Sequence, residues 1–166
     1  FYVGCESGDD LVLDRVSKGE TFDSSLAALR KIKDAGARSS VMILNGMGGL
    51  KYSEQHAKNS ALLMNEAQPE YLATLVVSFP RGMEKYQEGF GGEFEPLDQP
   101  GLFREMLWLL ETLDLEQTIF RSDHASNYLV LKGTLNADRD RLLATVRAAI
   151  DRPATVPLRQ EWQRGL

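Results

Sequence analysis

The chain has 166 residues, of which 43% are hydrophobic and 26% are charged, and its 24 acidic and 19 basic residues give a net charge of −5. This mix is typical of a globular domain and excludes a disordered, collagen-like or coiled-coil chain. The acidic balance argues against broad nucleic-acid binding, because phosphate recognition needs clustered lysines and arginines. A single cysteine, Cys5, excludes a disulfide framework, and two histidines with no cysteine pair argue against a metal site on this chain.

The sequence contains no apolar run long enough to cross a membrane and no signal-peptide pattern at its start, so we expect a cytoplasmic protein. Its first four residues already read as an apolar strand, with no turn or cap before them. Because domains usually begin with exposed polar residues, we expect the chain to be a piece of a larger protein. A processed natural N-terminus is the alternative.

Strand and helix patterns alternate along the sequence. In chain order we predict a strand at 1–4, helices at 9–16 and 22–35, a strand at 41–44, a helix at 53–68, a strand at 71–79, a helix at 100–113, a strand at 117–120 and a helix at 138–151. Thr21, Ser53 and Asp98 are the predicted N-caps of three of the helices. A flexible acidic loop is predicted at 89–96, and a tail follows at 152–166 after a single domain at 1–151.

Strands that are joined by helices run parallel and make right-handed crossovers. The sequence therefore predicts an α/β fold with about four parallel strands. In such folds, ligands bind at the carboxyl ends of the strands, so the loops that follow each strand are where we look for a site.

The first such loop runs from Gly4 to Asp9 and contains Glu6 and Ser7. Its glycines allow a close backbone approach, and Glu6 offers a carboxylate to a hydroxyl or an amine. Ser7 can bind a ligand or cap the next helix, and a capped turn with a solvated Glu6 is the competing interpretation.

The second and third loops follow the strands at 41–44 and 71–79. Asn45 and Gly46 open a glycine-rich turn that leads to a helix N-terminus. It lacks a phosphate-loop Lys-Ser/Thr, and a tight strand-to-helix turn is the competing interpretation. Ser78 and Phe79 precede a rigid turn that carries Arg81. By residue type alone, Phe79 fits a core position better than a stacking surface for a ligand.

Hydrogen-bonding groups are concentrated in 121–128, after the fourth strand. Arg121, Asp123, His124 and Asn127 form either a buried network or part of a substrate site. His56, early in a helix, is expected to be solvated. No Gly-x-Ser-x-Gly nucleophile elbow supports a hydrolase.

Taken together, three of these segments resemble one family. Tyr2-Val3-Gly4-Cys5-Glu6-Ser7-Gly8-Asp9-Asp10 with the following Lys18-Gly19 resembles the fourth strand and helix of radical S-adenosylmethionine (radical SAM) enzymes of the iron–sulfur oxidoreductase type. The segment 41–49 is similar to their fifth strand and its glycine turn, and the strand at 71–79 is similar to their sixth. The resemblance covers about residues 1–150.

The resemblance implies a fold, two cofactors and a set of contacts. The family fold is a partial TIM-type (β/α)6 barrel, of which this chain would be the C-terminal half. In the family, a [4Fe–4S] cluster cleaves SAM to a 5′-deoxyadenosyl radical, which takes hydrogen from the substrate. By position, Glu6 and Ser7 would contact the methionine or ribose part of SAM, Asn45 and Gly46 the adenine or ribose, and Ser78 and Phe79 the adenine.

The sequence also departs from the family. The Cys-x-x-x-Cys-x-x-Cys loop that binds the cluster is absent, and Gly48-Gly49-Leu50-Lys51 replaces the usual continuation of the glycine turn. We therefore expect a fragment that holds no cluster, does not turn over alone, and needs the N-terminal half of the barrel or self-associates through an exposed strand edge. The alternative is a non-catalytic α/β module that binds an anion or a protein.

Overall fold

A computed structural model describes residues 1–80 and 82–165. The strands are β1 Tyr2–Glu6, β2 Ser40–Asn45, β3 Tyr71–Val76, β4 Ile119–Ser122 and β5 Leu131–Thr134. The helices are α1 Asp10–Arg15, α2 Phe22–Asp34, α3 Gly49–Ala67, α4 Glu84–Gly89, α5 Gln99–Thr112 and α6 Arg139–Asp151. Two short 3₁₀ turns, Pro153–Thr155 and Glu161–Gln163, follow in the tail.

The five strands form one sheet in the order β1-β2-β3-β4-β5. The first four are parallel, and β5 runs antiparallel to β4. The predicted α/β class is thus confirmed, as are the four parallel strands. The antiparallel strand β5 was not predicted; it lies between the predicted strand at 117–120 and the predicted helix at 138–151. A parallel sheet in which each strand lies beside its predecessor is wound in one direction only, so right-handed crossovers place the long connecting helices α2, α3 and α5 on one face.

Alternate strand residues confirm this arrangement of the core. Val41, Ile43, Leu72 and Phe120 point to the helices and are at most 1% exposed. They pack in a single core with residues of α2, α3, α5 and α6. The intervening residues on the other side, such as Met42, Leu44, Ala73 and Leu75, are only half-buried. We call this second side the open face.

Side-chain caps explain the starts of three of the six helices in the described part of the chain. The Asp9 carboxylate accepts from the Val12 amide, and Asp98 does the same for Gly101. Thr21 and Ser24 form a reciprocal capping box at α2. The predicted Ser53 cap is wrong: α3 begins at Gly49, and Ser53 is a buried residue of its first turns.

The segment between β3 and α5 is more ordered than its composition suggested. It contains α4, and its glycines alternate with aromatic side chains that are drawn inward. The aromatic cluster consists of Tyr52, Phe79, Tyr86, Phe90 and Phe94. The predicted flexible loop at 89–96 is therefore wrong for Phe90 and Phe94, which are 5% and 4% exposed. Of the turn that follows Phe79, Arg81 lies outside the described residues.

Among the described residues, none of the helices is both long and apolar enough to cross a bilayer.

Candidate functional site at the strand ends

Glu6 is the last residue of β1 and lies at the carboxyl edge of the sheet. Its φ of 66° turns the chain, and its carboxylate lies over Gly4, where a β-carbon would collide with it. Lys18 approaches the same carboxylate, with Nζ at 3.5 Å from Oε1. The Glu6 side chain is 19% exposed and so only partly solvated, while the capped turn of the competing interpretation is present, with Asp9 as the cap. Gly4 thus leaves room for the carboxylate in this position.

The neighbouring Ser7 faces the helices. It is fully buried, its hydroxyl bonds to His56 Nδ1 at 2.8 Å, and it accepts from the Asp9 amide at 2.9 Å. Ser7 therefore fixes the loop after β1, and the structure does not bring it together with Glu6 on the open face.

Under the glycine turn after β2 lies a buried polar network that sequence reasoning missed. Glu105 of α5 accepts from the Gly46 amide at 2.6 Å and from the Ser53 hydroxyl at 2.5 Å. His56 Nε2 lies 3.0 Å from the Leu44 carbonyl oxygen and 3.8 Å from Glu105 Oε1. The expectation that His56 is solvated is wrong, because it is 1% exposed.

The hydrogen bonds of this network assign the proton on His56. A carbonyl oxygen can only accept, so Nε2 carries a hydrogen, and in the neutral ring Nδ1 accepts from Ser7. Burial raises the pKa of Glu105, while His56, Ser53 and the Gly46 amide pull that pKa down. Gly46 has φ of 85°, a left-handed conformation that favours glycine. The network therefore sets the shape of the turn from below, and it occupies the amide of Gly46.

Asn45 is also buried, at 4% exposure, and its carbonyl accepts from the Val77 amide at 2.9 Å. The Asn45 side chain is therefore not available to a ligand. At this turn a ligand can contact only the backbone beside Val77 and Ser78.

A cleft of about 210 Å³ opens on the open face between the ends of β2 and β3 and the loop after β4. Its floor is apolar, formed by Leu44, Leu75 and Val77, and its rim carries Ser78, Tyr86 and His124. The structure therefore brings together Ser78 and His124, predicted separately as cofactor and substrate residues. Tyr86 was missed because nothing in the sequence pattern indicated α4.

Tyr86 lies on the rim of this cleft and is also near Glu6. Burial raises the pKa of Tyr86, and the negative charge of Glu6 raises it further. Phe79 packs edge-on against Tyr86, with ring centroids 4.9 Å apart, and belongs to the aromatic cluster. Its place agrees with the interpretation of Phe79 as a packing residue that supports the cleft wall.

The remaining predicted substrate residues lie in different surroundings. Asp123 pairs with Lys132 at 2.9 Å, and this contact lowers the Asp123 pKa. Arg121 is exposed, and its Nη1 donates to the Phe120 carbonyl at 2.8 Å. Asn127 is 3% exposed and donates to the Thr74 carbonyl at 2.8 Å, so it anchors the loop rather than facing the cleft.

Cys5 does not fit the role of an iron–sulfur ligand. It is 3% exposed on the helix side of β1, and burial raises the pKa of its thiol to about 11. A cluster is bound by thiolates, and several are needed. Among residues 1–80 and 82–165, no three His, Cys, Asp or Glu side chains lie close enough to hold a metal ion.

Comparison with known proteins adds no assignment to this geometry: no family model matches the chain. No curated protein matches it significantly either.

Proposed function

We propose that this chain is the C-terminal half of the catalytic barrel of a cytoplasmic radical SAM iron–sulfur oxidoreductase, in which its strand ends bind SAM. The observation that supports this best is the one-directional parallel sheet with an open face. The helices α2, α3, α5 and α6 pack on the other side, and Glu6, the glycine turn and the Ser78 cleft follow one another along a single edge. A barrel has this arrangement, with ligands bound at the carboxyl ends of the strands.

Within this proposal the two parts of the site have different tasks. The cleft has an apolar floor with hydrogen-bonding groups at its rim, which suits a flat purine and its ribose. The Glu6 carboxylate beside Lys18 can accept from an ammonium or a hydroxyl group at the other end of SAM. The chain's own residues thus bind and orient SAM.

The chemistry of cofactor cleavage is supplied by the cluster and SAM when both are bound. Because Cys5 does not fit the cluster, no step through the cluster is assigned to this chain, and the chain alone is inactive. The cluster loop belongs to the N-terminal half of the barrel, whose gene sequence should carry Cys-x-x-x-Cys-x-x-Cys about 100 residues or fewer before Phe1.

The open face supports the proposed partner. Parallel sheets are almost always covered on both faces. Here Met42, Leu44, Ala73 and Leu75 are half-buried, and Tyr71 is 36% exposed at the lower end of β3. In the proposed barrel, the N-terminal half covers these side chains. In the chain by itself, a second copy either covers this face or pairs with the edge strand β1.

Substitution of Glu6 tests the proposal in the full-length protein with its cluster reconstituted. Glu6→Gln removes the charge but keeps the shape, and we expect SAM affinity, measured by calorimetry, to fall at least about tenfold, as for the loss of a charged hydrogen bond. Glu54→Gln is the matched control, since Glu54 is paired with Lys58 on the exposed side of α3.

The cluster absorbance should be unchanged in both variants. SAM binding by Glu6→Gln that equals that of the wild type would remove Glu6 from the site. No SAM binding by the wild type would overturn the function itself.

A non-catalytic binding module is the second candidate. It is favoured because the Gly46 amide, which SAM would otherwise contact, is already bound to Glu105. The same bond closes the turn to a phosphate or carboxylate, so the module would bind a protein rather than an anion. Under this alternative, the gene has no cysteine motif upstream, and the purified full-length protein has no cluster absorbance.

A further inference from the structure

Residues 159–165 of the tail bind the whole length of the loop 123–128, which follows β4. Each carbonyl oxygen from Asp123 to Tyr128 accepts a hydrogen bond from a tail residue between Arg159 and Gly165. The donors are Arg159 Nη2 to Asp123, Arg159 Nη1 to His124 and Asn127, the Gly165 amide to Ala125, Arg164 Nε to Ser126, and the Arg159 amide to Tyr128.

Arg159 makes most of these contacts. Its guanidinium lies 2.6 Å from the His124 oxygen, 3.0 Å from the Asn127 oxygen and 3.1 Å from the Asp123 oxygen. These are charge-assisted bonds, and their geometry depends on the planar fork of the guanidinium, which a lysine cannot reproduce. Arg164 adds one bond and stacks on Tyr128, with its guanidinium carbon 3.8 Å from the ring centroid.

The loop held in this way replaces part of the sheet. The β3–β4 ladder ends at the pair Ala73 and Arg121. Beyond it, the Thr74 carbonyl accepts from the Asn127 side chain at 2.8 Å, and the Val76 amide donates to the Ser126 hydroxyl at 3.1 Å. Side chains of the loop thus fix the end of β3 where it borders the cleft.

The same loop orients His124. The Ser126 amide donates to His124 Nδ1 at 3.1 Å, and the Ser126 hydroxyl lies 2.9 Å from the same nitrogen. Nδ1 is therefore an acceptor, and in the neutral ring the hydrogen lies on Nε2. The cleft rim thus presents an imidazole N–H donor in a fixed tautomer.

We propose that Arg159 is a positioning residue for the cleft: it holds the loop at 123–128 in the conformation in which His124 donates to the bound ligand. The identity of that ligand, the adenosyl part of SAM, rests on the proposed function. Because the loop is already ordered before the ligand binds, binding loses no further conformational entropy there. The tail therefore raises the affinity although it does not touch the ligand.

The test is a double-mutant cycle in the full-length protein, with SAM as the probe. We expect Arg159→Lys to weaken SAM binding roughly five- to tenfold, the loss of about one hydrogen bond, and His124→Ala to weaken it by a similar factor. Because Arg159 acts through His124, Arg159→Lys should change affinity less than about twofold in the His124→Ala background. Arg152→Lys, on an exposed tail arginine, is the control and should change nothing.

Hydrogen exchange measured on the same proteins should show faster exchange at 123–128 in Arg159→Lys, with unchanged protection in β2. Where Arg159→Lys fails to fold, Arg164→Lys breaks a single bond of the same kind and should give a smaller effect that is again lost with His124→Ala. Equal losses from Arg159→Lys in both backgrounds, or SAM affinity equal to the wild type, would overturn this inference alone. Absence of SAM binding by the wild type would overturn the proposed function instead.

Discussion

At the scale of single residues, the least expected group is the buried carboxyl of Glu105. It holds the glycine turn through the Gly46 amide and α3 through Ser53, and it is 2% exposed. Burial is the main cause that raises its pKa above the ordinary value of 4.5. The folded state therefore holds this proton at pH values where the unfolded chain has lost it.

This gives a pH dependence of known sign. A raised folded-state pKa means that Glu105 contributes its full stability below about pH 4.5 and loses it as the pH rises through the folded-state value. We expect the free energy of unfolding of the wild type, relative to Glu105→Gln, to decrease from pH 4.5 upward. Urea denaturation at a series of pH values measures this difference.

Glu111→Gln is the control, because Glu111 pairs with Arg147 at the surface and exposed pairs contribute less than about 1 kcal/mol. A wild-type advantage that grows with pH would contradict the assignment of burial as the dominant cause.

At the scale of elements, two aspartates that cap helices differ in their burial and in the number of hydrogen bonds that they accept. Asp9 and Asp98 each accept from the backbone amide three residues on. Asp9 is 3% exposed and also accepts from the side chains of Gln55 and Asn59, which join α1 to α3. Asp98 is exposed, with the cap bond as its contact.

We therefore expect Asp9→Ala to destabilise the chain by about 3 kcal/mol, since it leaves buried amide groups unsatisfied. Asp98→Ala should cost about 1 kcal/mol, the value of an exposed cap. The midpoints of urea unfolding compare the two variants directly. Equal losses would show that the contacts between Asp9 and α3 contribute nothing.

Most elements were predictable because their signals are local. Periodic leucines and a side-chain cap located α2 and α5, and an unbroken apolar run located β2. The helix α4 has no such pattern. What orders it is the packing of Tyr86 against Phe79 and of Phe90 against Tyr52, and the second of these contacts joins distant segments.

The site was predictable to the same extent and for the same reason. Glu6 and the Ser78 segment stand out because they directly follow strands. The link from Arg159 to His124 spans 35 residues and leaves no periodic trace in the sequence. The burial of His56 depends on Glu105, which lies on another helix, so the residues next to His56 in the sequence do not indicate it.

At the scale of the whole molecule, the open face is the property that separates this sheet from a doubly wound one. Adjacent residues of β2 test it, because Met42 and Ile43 point to opposite sides. Ile43 is 1% exposed beneath the helices, whereas Met42 is half-buried on the side without a helix. The same substitution should therefore have opposite results at the two positions of the chain 1–166.

We expect Met42→Lys to fold, with a free energy of unfolding within about 1 kcal/mol of the wild type, because a lysine on the open face keeps its charge in water. It should also reduce self-association in analytical ultracentrifugation, since the charge opposes burial of that face against a second copy. Ile43→Lys should lose the folded state, as an unpaired charge in the core does. If Met42→Lys unfolds the chain as completely as Ile43→Lys, the face is covered by the chain itself, and the sheet has no open side for a partner to fill.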